Sequence, residues 1–178
     1  MFKSIEASQI TITELMLPSH SNFRGKIHGG YILGLMDQIA FACASKHSQN
    51  YCVTASVNKV DFLRPIEVGE LVTLKASVNY TGRTSMVIGV RVESEDIKTG
   101  GKKHCNSSYF TMVAKDDQGN NVAVPGLILD TEESVRRFAR SIERIEHGKN
   151  RSSKYDPLNF KIEDYLAIVK QHHAKVEL

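Results

Sequence analysis

The hydrophobic pattern of the chain changes character twice. Ser8–Leu17 alternates weakly, with Ile10 and Ile12 on one face, and predicts a strand ended by Pro18. A polar, turn-prone stretch follows, and from Tyr31 to about His47 the residues are apolar nearly all round. That segment predicts a buried central helix of roughly 25 Å. Beyond it the period becomes two. Strands are predicted at Tyr51–Leu63, Glu70–Tyr80, Thr84–Glu95 and Lys102–Lys115, with a short one near Val122–Val124. Val72, Leu74, Ala76 and Val78 share one face, as do Met86, Ile88, Val90 and Val92. Pro65 with Gly69, Thr81-Gly82 and Thr99-Gly100-Gly101 supply turn chemistry between them. One long helix inserted after the first of several consecutive strands describes an antiparallel α+β fold.

After Pro125 the pattern turns helical again. Asp130 as N-cap with Glu133 three residues on predicts a helix start, and Val135, Phe138, Ala139, Ile142 and Ile145 form an apolar stripe. Gly148 to Asn159 reads as a polar linker, followed by a second short helix with Ile162, Tyr165, Leu166 and Val169 on one face. Both stripes predict packing surfaces on the domain or on a partner subunit. The organisation expected is a main domain over residues 1–128 and a helical extension over 129–178.

Composition narrows the class. With 178 residues, 41% apolar and 24% charged, the chain has the makeup of a globular protein with a full core. A net charge of +3 is too mild to predict nucleic-acid binding. No run approaches the ~18 apolar residues of a membrane span. Three cysteines at wide spacing, Cys43, Cys52 and Cys105, predict free thiols in a reducing cytoplasm, with no zinc ribbon. No metal-ligand spacing occurs, so neither metal nor separate cofactor is expected.

Four features carry candidate chemistry. Asp37 interrupts the apolar helix; it sits either on a solvated stripe or, partly desolvated, where a general base or nucleophile belongs. His28-Gly29-Gly30 at the helix start could place backbone N–H groups against a carbonyl oxygen or form a plain tight turn. Asn22, in the preceding loop, could orient a substrate or water, or cap a turn. Gly82-Arg83-Thr84-Ser85 suits a phosphate or a solvated hairpin tip.

Together, Asn22-x-x-Gly25-x-Ile27-His28-Gly29-Gly30, Met36-Asp37, Val53-Thr54-Ala55-Ser56-Val57, Asp61-Phe62-Leu63-Arg64-Pro65-Ile66 and Gly82-Arg83-Thr84-Ser85-Met86 resemble the hot-dog fold acyl-CoA thioesterases, in the branch of bacterial and brain-type acyl-CoA hydrolases. The resemblance runs from about residue 8 to Pro125, and residues from about Gly148 onward match nothing in it. It implies an antiparallel sheet wrapped around the long helix, and dimers or trimers of dimers. It also implies an active site between subunits, where Asn22 of one protomer meets Asp37 of the other. By the same resemblance Gly29 and Gly30 hold the thioester oxygen, while His28, Thr54, Arg83, Thr84 and Ser85 face the acyl-CoA. Coenzyme A then enters as part of the substrate. A non-catalytic acyl-CoA sensor is the alternative, and a dehydratase using His28 a more distant one.

Overall fold

The structure, a computed structural model, describes residues 1–153, 161–163, 166, 169, 171, 172 and 174. The chain divides into two compact units, Met1–Ser141 and Ile142–Leu178.

The first unit is built on a five-stranded antiparallel sheet and one helix. In chain order its elements are β1 (Phe2–Ser4), β2 (Ile10–Leu15), α1 (Gly29–Ser48), β3 (Tyr51–Val57), β4 (Leu71–Thr81), β5 (Ser85–Glu95), β6 (Lys102–Lys115) and β7 (Gly126–Ile128). A second helix, α2 (Glu132–Ser153), crosses into the second unit. The large sheet has the order β2-β4-β5-β6-β3, so β2 and β3 are its edges. Helix α1 packs across all five strands.

Helix α1 explains the core. Ile32, Leu35, Met36, Ile39, Ala40, Cys43, Ala44 and His47 recur at helical spacing and are all buried. They meet Val72, Leu74, Ala76 and Val78 of β4, Met86, Ile88, Val90 and Val92 of β5, and Phe110, Met112 and Ala114 of β6. Lys46 in its last turn favours the negative end of the helix dipole, and Gln49 ends it in the left-handed region at φ 59°. Contrary to the sequence expectation, α1 is not buried all round. Leu33, Gly34, Asp37, Gln38 and Phe41 form an exposed stripe, because the sheet covers only one side of the helix.

Other expectations are corrected. Strand β3 stops at Val57 and not Leu63, because the chain there leaves β6: Asn58 N–H still reaches the Tyr109 carbonyl, but Leu63 N–H goes to Cys105. Val122–Val124 is no strand. Val122 and Val124 instead donate single backbone bonds to Ala114 and Arg83, and the pairing strand is β7, parallel to β1. The ring of Phe2 lies where a side chain at position 126 would stand, which fits Gly126 there. Helix α2 is capped by Thr131, not Asp130: Thr131 Oγ1 accepts the Ser134 N–H at 3.1 Å, and Ser134 Oγ accepts the Thr131 N–H at 3.1 Å. Its buried positions up to residue 141 are Ser134 and Ser141, with Phe138 half-buried against the Tyr80 ring at 4.9 Å, whereas Val135 and Ala139 are exposed. Helix α2 also runs through Gly148 to Ser153, where a linker was expected. In the second unit Leu166 N–H donates to the Ile162 carbonyl. Residues 154–160 and Tyr165 lie outside the described residues. Among the described residues no helix is long and apolar enough to cross a membrane.

Buried polar groups staple the unit together. His47 is fully buried; its Nε2 donates to the Pro125 carbonyl at 3.0 Å, leaving Nδ1 to accept from the Ser8 hydroxyl at 3.2 Å. Burial pushes its pKa below the usual histidine value. Desolvation works against ionised Glu70, but Lys103 Nζ at 2.7 Å and the Glu67 N–H at 3.1 Å outweigh it and hold that carboxyl below its usual range. In β4 a bulge between Val78 and Tyr80 turns Asn79 inward, where the Ser77 hydroxyl donates to its Oδ1 at 3.0 Å and its amide lies over Gly89.

Two outcomes follow from these staples. The unfolded chain protonates His47 near its ordinary pKa of 6.5 while the folded chain resists protonation. The stability due to its neutral form is therefore full above that value and is lost as pH falls through it. The thermal midpoint of the wild type should drop more steeply between about pH 7 and pH 5 than that of His47→Gln. Gly89→Ala should cost about 1–3 kcal/mol in denaturant unfolding, because the new methyl collides with the Asn79 amide.

Candidate active site

The turn that ends α1 also builds the site. Asn50 Nδ2 donates to the Ser48 carbonyl at 2.9 Å and Ser48 Oγ accepts the Asn50 N–H at 3.2 Å, which sends β3 back along α1. Phe41 and Tyr51 then meet edge to face, ring centroids 5.8 Å apart. Further along, Thr54 Oγ1 donates to Asp37 Oδ1 at 2.7 Å. The pair stands in the wall of an open cavity of about 390 Å³, with Gln38, Phe41, Tyr51 and Val53 around it. Asp37 is exposed in the single chain, so the desolvated setting raised by the sequence is absent there; the solvated stripe is what the chain shows. Thr54, read from the sequence only as a substrate contact, is the partner of Asp37.

The start of α1 forms a second group. Gly30 N–H donates to His28 Nδ1 at 3.1 Å, and Tyr31 N–H to the His28 carbonyl at 3.0 Å. An accepting Nδ1 places the proton of the neutral ring on Nε2, and the residue is exposed. Of the two glycine amides, Gly30 is engaged and Gly29 has no acceptor among the described residues. The ring of Phe62 lies against Gly29, with Cζ 3.2 Å from where a Cβ would be. Tyr31 braces this end: its hydroxyl donates to Glu14 on β2, which raises its pKa to about 12, and its ring stacks on His20 at 3.9 Å.

Asn22 shapes the loop ahead of the helix. Its Oδ1 accepts from Arg24 N–H at 2.9 Å and Lys26 N–H at 3.2 Å, and Gly25 closes the turn at φ +72°. The carboxamide oxygen is thus committed, and the Nδ2 hydrogens remain to face a ligand. No hydrogen bond joins Asn22 to Asp37 within the chain among the described residues.

Arg83, Thr84 and Ser85 lie in the β4–β5 turn, where Gly82 N–H donates to the Ser85 carbonyl at 2.8 Å. The Thr84 carbonyl accepts from Ala114 and the Arg83 carbonyl from Val124, and Arg83 is exposed. Register places this turn at the same end of the sheet as Thr54: Ser85 opposes Val113, which opposes Val53. Among the described residues no three or more His, Cys, Asp or Glu side chains gather as metal ligands would.

Residues 24–100 match the family model described as the thioesterase superfamily. Protein VdlD of Helicobacter pylori is 38% identical over 154 residues, 85% of this chain and 88% of its own. The crystal structure of an apo-hexameric acyl-CoA thioesterase superposes with a TM-score of 0.83 at 38% identity, covering 85% of this chain and 97% of that one. An acyl-CoA hydrolase from Staphylococcus aureus, solved with butyryl coenzyme A, coenzyme A and coenzyme A disulfide, superposes at 0.80 with 29% identity over 96% of this chain and 99% of its own. That hydrolase has also been solved with an Asp, a Thr and an Asn each changed to Ala, residues spaced along its chain as Asp37, Thr54 and Asn22 are here. On sequence and fold alike, this chain belongs to the thioesterase superfamily and has its hot-dog fold.

Proposed function

We propose that the protein hydrolyses acyl-CoA thioesters to a carboxylate and free coenzyme A, with Asp37 as the reacting carboxylate. The observation that carries this is the 2.7 Å hydrogen bond from Thr54 to Asp37 in the wall of the cavity. The Thr54 proton holds Oδ1 and leaves Oδ2 free. A carboxylate fixed by one oxygen can take a proton from water with the other, or attack the carbonyl carbon directly and form an anhydride that water then opens. In the first route the water oxygen bonds to the thioester carbon while its proton passes to Asp37. The tetrahedral oxyanion faces the Gly29 N–H, and collapse breaks the C–S bond. The departing coenzyme A thiolate takes up the proton.

The rest of the site is assigned by the same logic. Gly29 supplies the free oxyanion donor, and Gly30, through its bond to His28, keeps the helix start in shape. Asn22 offers its Nδ2 hydrogens to the thioester or the water. The Nε2–H of His28 faces the substrate, and Arg83, Thr84 and Ser85 form part of the coenzyme A surface. Asn22 and Asp37 are unjoined in one chain, and Asp37 lies beside the free edge of β3, flanked by exposed Leu33, Phe41 and Tyr51. These features support a dimer through that edge, where Asn22 of one copy reaches the cavity of the other; the similar hexameric thioesterase supports a trimer of such dimers. Three buried free thiols support a reducing, cytoplasmic setting. No metal and no separate cofactor enters this scheme.

Thiol release from a series of acyl-CoAs of increasing chain length tests the proposal. Asp37→Asn should lower kcat about a hundredfold or more, in the range of a lost general base. Thr54→Val, which frees the carboxylate to rotate, should lower kcat about tenfold. A wild-type rate in Asp37→Asn would overturn the assignment, and tight acyl-CoA binding without thiol release would favour a sensor.

A further inference from the structure

We propose that Phe62 is a positioning residue that walls one side of the oxyanion site at Gly29; this rests on the hydrolase reading above. Residues 58–66 are stitched to the sheet and to the helix start. Asn58 N–H donates to the Tyr109 carbonyl at 2.9 Å and Leu63 N–H to Cys105 at 2.9 Å, while Ile27, just before His28, donates to the Ile66 carbonyl at 2.9 Å. The Ser108 hydroxyl adds a bond to the Asn58 carbonyl at 3.1 Å. Phe62 is therefore held by its backbone on both sides. The residue is 55% exposed, yet the tip of its ring stands against Gly29, with Cζ, Cε1 and Cε2 at 3.2, 3.4 and 3.6 Å from the position of an added Cβ. A large apolar ring held half in water gains little from burial there.

What the ring does do is cover the Cα side of Gly29, whose N–H is the one amide of the first turn with no acceptor among the described residues. With that apolar ring against Gly29, a thioester oxygen docked on the neighbouring N–H would meet its donor next to a less polar wall, where the hydrogen bond to a developing negative charge is stronger. Glycine at position 29 allows that approach, since an added Cβ would stand 3.2 Å from the ring and force it back by a few tenths of an ångström.

The experiment compares steady-state thiol release and the Gly29 amide signal in wild type, Phe62→Ala, Phe62→Leu and Gly29→Ala. Phe62→Ala should lower kcat about tenfold with KM changed less than about threefold, and Phe62→Leu should recover most of the loss. The Gly29 amide should shift and exchange faster in Phe62→Ala. Gly29→Ala crowds the same ring, so the double variant Gly29→Ala/Phe62→Ala should lose less than the product of the two single losses. A rise in KM with kcat unchanged, or multiplicative losses in the double variant, would overturn the proposal. So would an unchanged Gly29 amide, whether or not the protein hydrolyses thioesters. Absence of thiol release in the wild type with the amide responding as expected would remove the hydrolase reading and leave the ring–amide contact standing.

Discussion

The structure depends on the way α1 is divided between sheet and solvent. Eight of its side chains, from Ile32 to His47, are pressed into five strands, and that burial fixes the helix's rotation about its own axis. Once the rotation is fixed, Asp37 has no choice of direction. It must face away from the core, beside the returning strand β3, and Thr54 is the hydroxyl that meets it. The same burial points the amides at Gly29 and Gly30 out of one end of the layer. Core packing and site geometry are one constraint seen from two sides.

The strands of the large sheet and α1 were legible because their apolar residues alternate or repeat at helical spacing, and every residue of the two predicted strand faces on β4 and β5 is buried. Beta1 and β7 were not, since three-residue strands leave no period to count; they are set by a parallel pairing between distant residues and by the Phe2 ring over Gly126. The cap of α2 was misplaced by one residue because Asp130, Thr131 and Ser134 all carry capping chemistry, and only geometry selects the Thr131–Ser134 pair. The predicted stripe on α2 follows hydrophobicity, whereas among its described side chains the buried positions are two serines, which no hydropathy pattern marks.

For the site, residue types were readable and their partnerships were not. Asp37 stood out as a charge inside an apolar run, but its exposure depends on which side the sheet covers. That Gly30 is engaged while Gly29 has no acceptor among the described residues depends on a histidine rotamer at the N-cap. Phe62 gave no signal as a functional residue, because an aromatic near the end of a predicted strand reads as packing; its contact with Gly29 joins residues far apart in sequence.

The turn at Ser48–Asn50 carries more than the end of a helix. A strand's side chains alternate between faces, so inserting one residue there would swing Thr54 to the far side of β3 and set a different row of backbone groups along the sheet's open margin. One local length change would undo the carboxylate's partner and the edge's pairing register together. The length of this short joint is therefore as tightly constrained as any reactive side chain, although none of its atoms needs to touch a substrate.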